Sequence, residues 1–239
     1  MPYQFTVIIP VFNEEDNLLR VEKEMLTFHK VAIKSTTVLF INDGSSDQSL
    51  QLIHDICKRN KAFNYISLDK NYGLSTALAA GFNHCKTELV GYIDSDLQTS
   101  PSDFNSLLEH AEAYDLITGI RQHRKDTFIK KTSSRIANIV REIFTKDGME
   151  DTGCPLKVIK TSVAKNIPMF KGLHRFLPAM VLLQNGRIKQ VPVQHFPRIA
   201  GKAKYGLRNR LVGPLIDCFA YLWMKKKYID YKITTKHDE

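Results

Sequence analysis

Cysteine is scarce in this sequence and never paired. Cys57, Cys85, Cys154 and Cys218 are scattered through 239 residues. No C-x-x-C spacing occurs, which speaks against a zinc site or a disulfide framework and fits a reducing cytosol. Long apolar runs are lacking too. A membrane span needs roughly 20 apolar residues. The best candidate, Leu211 to Met224, is shorter and holds Pro214 and Asp217, so no transmembrane helix is expected. The N-terminus enters a strand pattern at Phe5 with no basic stretch before an apolar one, which predicts no signal peptide. Twelve Gly and 9 Pro are ordinary counts and exclude collagen-like or low-complexity readings. No internal repeat or linker is visible.

Charge is present in quantity, and its distribution is uneven. The net charge is +9, yet residues 1–120 hold 9 Lys/Arg against 16 Asp/Glu, while residues 121–239 hold 25 against 9. A uniform basic coat for nucleic acid does not look like this. An acidic half joined to a basic half suggests two tasks on one chain.

The first half alternates strand and helix patterns. Phe5–Val11, Thr37–Ile41, Asn64–Leu68, Leu89–Ile93 and Asp115–Gly119 read as strands. Between them, Leu18, Val21, Met25 and Phe28, then Leu50, Ile53 and Ile56, then Leu74, Ala77, Leu78, Gly81 and Phe82 recur at helical spacing. Ser100, Pro101 and Asp103 supply an N-cap, an N1 proline and an acidic first turn for a further helix. Such repetition predicts an α/β fold with a doubly wound, mainly parallel sheet and helices on both faces. The second half is less regular. A basic helix is expected over 124–146, a strand near Leu156–Ile159, a helix over Arg175–Gln184 and a strand over Arg187–Val193. A loop from His195 to Tyr205 then leads to an amphipathic helix with Leu207, Leu211, Leu215, Phe219 and Leu222, kinked at Pro214.

Ligands of such sheets bind beyond the carboxyl ends of the strands. Three strand ends carry polar clusters, Asn13-Glu14, Asn42-Asp43 and Asp94-Ser95-Asp96, so these should converge. Asp94 and Asp96, one residue apart on a turn, can both face a hard cation, and Gln98 adds a neutral oxygen. Mg²⁺ or Mn²⁺ held this way shares its shell with a substrate diphosphate instead of sitting in a closed cage. Gly44 permits a tight turn, Asp43 can accept from a base N–H or a ribose hydroxyl, and Phe12 can pack on a base. Helix capping is the bland reading of Asn13-Glu14 and Ser45-Ser46-Asp47, but capping does not explain three polar strand ends at one edge.

Pro10-Val-Phe-Asn-Glu14, Asn42-Asp-Gly-Ser-Ser-Asp47, Asn71-Tyr-Gly-Leu-Ser75 and Asp94-Ser-Asp-Leu-Gln98 together resemble the inverting family-2 glycosyltransferases of GT-A fold. Within them the chain is most similar to the polyprenyl-phosphate glycosyltransferases, the dolichyl-phosphate mannose synthase group. The resemblance continues in order through Gly119-Ile-Arg121, Ser134-Arg-Ile-Ala-Asn138, Asp151-Thr-Gly-Cys154, Gly172-Leu-His-Arg-Phe176 and Arg198-Ile-Ala-Gly-Lys-Ala-Lys-Tyr205. It covers about residues 4–210.

The resemblance implies roles. Pro10, Phe12, Glu14, Ile41, Asp43, Asp94 and Ser95 would hold the nucleotide sugar. Asp94, Asp96 and Gln98 would hold the metal. Arg121, Lys130, Ser134, Arg198, Lys204 and Tyr205 would attend the phosphates of donor and acceptor, with Asp96, Arg121, Arg198 and Lys204 closest to the chemistry. It implies a catalytic domain over 1–205, divided near 120 into nucleotide-sugar and acceptor halves, and a basic helix and tail over 206–239. The chain departs from the pattern at Asn42, where aspartate is common, at Pro155-Leu156, where Gly-Phe is more frequent, and at Ala203, usually serine. The two C-terminal membrane helices of some members are not matched. Trp223 does not fall in a Q-x-x-R-W segment, so a processive polysaccharide synthase lacks its motif.

Sugar transfer from a UDP- or GDP-sugar to polyprenyl phosphate is therefore expected, at the cytoplasmic face of a membrane, with peripheral contact through the C-terminal helix and a possible integral-membrane partner subunit. Transfer to a hydroxyl, with Asp151 the nearest candidate base, is the second reading. A non-catalytic polyanion-binding module is the third, and no nucleic-acid-reading motif supports it. His174-Arg175 either touches acceptor phosphate or simply opens a helix.

Overall fold

Alternate residues of the first strand, β1 (Phe5–Val11), face opposite sides of a sheet. Phe5, Val7, Ile9 and Val11 enter one hydrophobic cluster and Ile8 the other. Both faces must therefore be covered. In this computed structural model, which describes residues 3–122, 138–197, 208–229 and Thr235, helices cover both.

The sheet has seven strands. They are β1, β2 (Thr36–Asn42), β3 (Phe63–Ser67), β4 (Leu89–Tyr92), β5 (Leu116–Arg121), β6 (Lys157–Lys160) and β7 (Ile188–Val193). Their order is β3-β2-β1-β4-β6-β5-β7. Every neighbouring pair is parallel except those of β6, which runs antiparallel to both β4 and β5. The mainly parallel, doubly wound expectation holds.

One face carries α1 (Glu15–Val31), α2 (Ser49–Arg59) and α4 (Phe104–Leu108), through Leu18, Val21, Met25, Phe28, Ile53, Ile56, Phe104 and Leu107. The other carries α3 (Leu74–His84), α6 (Thr161–Lys165), α7 (Leu177–Leu183) and part of α8 (Arg208–Lys227). Each fully buried Leu or Phe contributes about 1.5–3 kcal/mol. A further helix, α5, spans 138–145.

Several boundaries differ from expectation. The Ser100 cap forms, its Oγ accepting from Ser102 N at 3.3 Å, but it opens a 3₁₀ turn, Pro101–Asp103, before a five-residue α4. The helix expected over Arg175–Gln184 is a 3₁₀ turn, Leu173–Arg175, followed by α7. Pro178 lies in the first turn of α7, where its missing N–H costs nothing. The third strand begins and ends one residue earlier than expected. Of the helix expected over 124–146, only 138–146 lies within the described residues, and it is helical up to position 145. The last helix ends at Lys227 and runs as one element through position 214. It is also partly core, since Cys218 and Tyr221 are buried and Tyr221 stacks on Phe176 with centroids 6.0 Å apart.

Candidate active site

Strand order locates the crevice. From β1 the chain steps outward to β2 and β3, then returns to place β4 on the other side of β1. Ligands of open α/β sheets bind at such a reversal, beyond the strand ends. Pro10 widens it. The Ile8 carbonyl faces β4, accepting from Ile93 N at 3.2 Å. By strand parity the missing N–H of Pro10 faces the same side, where pairing with β4 has ended.

Parallel pairing of β2, β1 and β4 sets the three polar strand ends on one edge, and the first two are tied directly. Asn13 takes the left-handed conformation at φ 49°, which asparagine tolerates. Its N–H donates to Ser45 Oγ at 3.0 Å, and its Oδ1 accepts from Ser46 N at 2.8 Å. Glu14 N donates to Ser49 Oγ at 2.9 Å, and Glu15 Oε2 accepts from Gln48 N at 2.7 Å. These side chains stitch the β1–α1 loop to the β2–α2 loop. Neither Glu14 nor Gln48, the residues before α1 and α2, makes a side-chain cap. Asp47 does cap, its Oδ1 accepting from Ser49 N at 2.9 Å. Burial works to raise the Asp47 carboxyl, but hydrogen bonds from Ser49 and Glu15 outweigh it and hold the group below its ordinary value.

Asp43 is buried, and its carboxylate accepts from Tyr72 N and Gly73 N, both at 2.8 Å, and from Asn71 Nδ2 at 2.9 Å. Three of its roughly four acceptor sites hold the turn that starts α3. Positioning that turn is what the structure gives it. Ile41 is 0% exposed among Leu39, Leu78 and their neighbours, so a ligand meets this position through backbone alone. Phe12 and Glu14 are half-buried at the edge, and Glu14 Oε2 accepts from Asn17 Nδ2 at 2.7 Å.

Asp94 to Gln98 forms a tight turn at the end of β4, closed by Leu97 N donating to Asp94 O at 3.1 Å, with Leu97 at φ 46°. Ser95 and Asp96 are buried and Asp94 half-buried. Asp96 Oδ1 accepts from Gln98 N at 3.3 Å. Arg20 of α1, which the sequence does not signal, reaches the Asp96 and Leu97 carbonyls at 3.3 Å. Among the described residues no group of three His, Cys, Asp or Glu side chains could hold a metal. Two carboxylates and an amide oxygen on one turn suit a hard cation that takes its other ligands from a diphosphate.

On the far side, Arg121 ends β5 and is gripped by Asp151, with Nε and Nη2 each 2.8 Å from a carboxylate oxygen. Lys130, Ser134, Arg198, Lys204 and Tyr205 lie outside the described residues. The described residues that precede their two segments lie at this edge. Gln122 N donates to Val193 O at 2.9 Å just before the first, and Phe196 N donates to Gln98 O at 2.8 Å just before the second. His174 does not merely open a helix. Its Nδ1 lies 3.0 Å from Ser75 Oγ, which also accepts from Gly172 N at 3.1 Å. Burial, with Arg175 and Lys157 nearby, pushes its pKa down to about 3.

A profile described as "Glycosyl transferase family 2" matches residues 6–168, well over half the chain. The chain belongs to glycosyl transferase family 2. Membership sets aside the non-catalytic polyanion module. Among curated family relatives, the chain is 33% identical over 217 residues to undecaprenyl-phosphate 4-deoxy-4-formamido-L-arabinose transferase of Edwardsiella ictaluri (strain 93-146), covering 89% of this chain and 67% of that one. Among solved structures, it resembles glucosyl-3-phosphoglycerate synthase from Mycobacterium tuberculosis in complex with Mn²⁺, UDP and glucosyl-3-phosphoglycerate, with a TM-score of 0.69, 14% identity and coverage of 95% and 81% of the two chains. A mannosyltransferase from Pyrobaculum calidifontis, in complex with GDP-mannose and Mn²⁺, gives a TM-score of 0.66 at 14% identity, covering 92% and 64%. These likenesses bear out the GT-A fold.

Proposed function

We propose that this chain is an inverting glycosyltransferase that moves a sugar from a nucleotide diphosphate sugar to the phosphate of a polyprenyl phosphate. The observation that carries it is the placement of the Asp94–Asp96 turn and the tied Asn13–Ser46 loops on one edge at the sheet's reversal point. The curated relative's name, an undecaprenyl-phosphate transferase, supports the acceptor class. Complexes of the solved neighbours with UDP or GDP-mannose and Mn²⁺ support the donor class and the metal.

On this reading the β1 and β2 loops, with Phe12 and Glu14, seat the nucleoside. Asp94, Asp96 and Gln98 would hold Mg²⁺ or Mn²⁺, which when bound neutralises charge on the departing diphosphate. A lipid phosphate is already ionised at neutral pH, so the chain supplies alignment and positive charge more than a base. Arg121, oriented by Asp151, is one such charge. Arg198 and Lys204 would hold the two anionic substrates within reach of each other. Asp151 is engaged by Arg121, which leaves the hydroxyl-acceptor reading without its nearest base.

The lipid acceptor calls for a membrane surface. No helix among the described residues is long and apolar enough to cross one. Instead α5 and α8 present a joint apolar face. Phe144 packs edge-on against Phe219 with centroids 5.2 Å apart, and Ile143, Ile216, Phe219 and Trp223 are each more than half exposed. Lys225–Lys227 follow at the end of α8, each contributing about 1 kcal/mol near an anionic surface. This face would bind the cytoplasmic side of a membrane peripherally, or an integral-membrane subunit within it. Phe219→Asp with Trp223→Asp should abolish co-sedimentation with phosphatidylglycerol vesicles, and persistence of binding would refute the surface.

A thermal-shift panel tests the donor assignment. UDP or GDP with Mn²⁺ should raise Tm, since a ligand at 100 times its Kd stabilises by about 2.7 kcal/mol. No shift with either nucleotide would overturn the reading.

A further inference from the structure

Among the described residues Lys157 is the only fully buried lysine. It opens β6 in a run of Leu156, Val158 and Ile159, where an apolar residue would fill the space. Its strand partners are Tyr92 of β4 and Thr118 of β5. Tyr92 lies two residues before Asp94, and Thr118 three before Arg121. The ammonium donates to Thr152 O at 3.2 Å and to Cys154 O, and lies 5.4 Å from the centroid of the Tyr92 ring. The carbonyls it binds belong to the turn that begins at Asp151, whose Oδ1 and Oδ2 clasp Arg121. Contacts therefore run without a gap from the strand that ends in the metal turn to the guanidinium on the opposite side.

Burying a charge is costly even where hydrogen bonds receive it, and well-packed apolar groups often replace buried ionic ones at no loss of stability. Packing alone would not call for lysine here. We propose that Lys157 is a positioning residue for sugar transfer, its ammonium holding the 151–154 turn so that Asp151 keeps Arg121 directed at the edge where Asp94 and Asp96 stand. This rests on reading that edge as the active site. Lys157 touches no substrate and acts through Asp151 and Arg121.

The test compares native chain with Lys157→Met and Lys157→Arg, by amide exchange and by turnover. Arg121 N donates to Asp151 Oδ2 and Cys154 N to Asp151 O, both at 3.3 Å. Exchange across 119–122 and 150–156 should quicken about tenfold in Lys157→Met, with strand 5–11 unchanged, because the opening is local. Turnover is measured with undecaprenyl phosphate and UDP-glucose, UDP-N-acetylglucosamine or GDP-mannose. In Lys157→Met, kcat should fall roughly 30-fold while the donor KM holds within about threefold, as for lost orientation with binding kept. Lys157→Arg, which keeps the charge, should recover part of both losses. Unchanged exchange at those two segments, or unchanged kcat, would overturn the proposal. If Lys157→Met does not fold, Lys157→Gln, which can donate to carbonyls without charge, is held to the same criteria. Should the native chain transfer none of these sugars, the exchange result still decides whether Lys157 holds the turn, and the failure of the transferase reading is seen separately.

Discussion

Arg121 and Asp151 form a two-pronged ion pair, with both N–O distances 2.8 Å and both side chains mostly buried. Arg121 ends β5 and Asp151 opens the turn before β6, so the pair ties together two segments about thirty residues apart in sequence. The planar fork sets the guanidinium's direction as well as its place. Arg121→Lys and Asp151→Asn should each lower kcat/KM by about 10²-fold, as for a misdirected charge. The double variant should lose little more, since members of one unit are not additive. A double-mutant cycle on steady-state rates checks this. Additive losses would separate the two residues.

Asp43 accepts three hydrogen bonds from residues 71–73. Asp43→Ala leaves those donors without partners, each costing about 1–3 kcal/mol where buried, less where water reaches them. A total loss of about 3 kcal/mol is expected from the urea midpoint, together with weaker UDP or GDP binding as the start of α3 loosens. Asp43→Asn should cost less.

Two glycines make a matched pair. Gly44 has φ +66°, and a Cβ there would lie 2.2 Å from the Lys70 carbonyl carbon, whereas Gly73 has φ +95° and open space around it. Gly73→Ala should cost only the strain of its φ 95°, ψ 163° backbone, about 1–3 kcal/mol. Gly44→Ala adds a backbone clash and should exceed about 3 kcal/mol. Paired denaturation curves check the order, and equal costs would refute the close approach.

His174 predicts a pH signature. Its pKa is about 3 in the fold against roughly 6.5 unfolded. The unfolded chain takes up the proton first, so this contribution is complete above about pH 6.5 and is lost as pH falls toward 3. Tm measured at intervals from pH 7.5 to 4.5 should decline, and His174→Gln should flatten the His174 part of that slope. A native-like slope in the variant would contradict the assignment.

Much of this was legible because the chemistry is local. Alternation in Phe5–Val11 marks a strand covered on both faces, and polar residues just beyond three strands mark one edge. The Asp94-Ser-Asp turn carries its own signal. Contacts between distant segments were not legible. Nothing at Arg20 distinguishes it from a solvated helix residue, and nothing near Asp43 says that its carboxylate turns to residues 71–73 instead of toward solvent. Lys157 did leave a trace, a charge set between Leu156 and the apolar pair Val158-Ile159. The helices after Ser100 and His174 proved shorter than their patterns because 3₁₀ turns take up their first residues.

The central claim concerns a bond between a sugar's anomeric carbon and a lipid phosphate. The most direct measurement incubates purified chain with Mn²⁺, undecaprenyl phosphate and a panel of UDP- and GDP-sugars, and follows products by mass spectrometry and NMR. The account predicts one glycosyl phosphate lipid of inverted anomeric configuration, formed with equal nucleoside diphosphate, and none with Asp96→Ala. Retained configuration, transfer to a hydroxyl instead of the phosphate, or undiminished product from Asp96→Ala would contradict it.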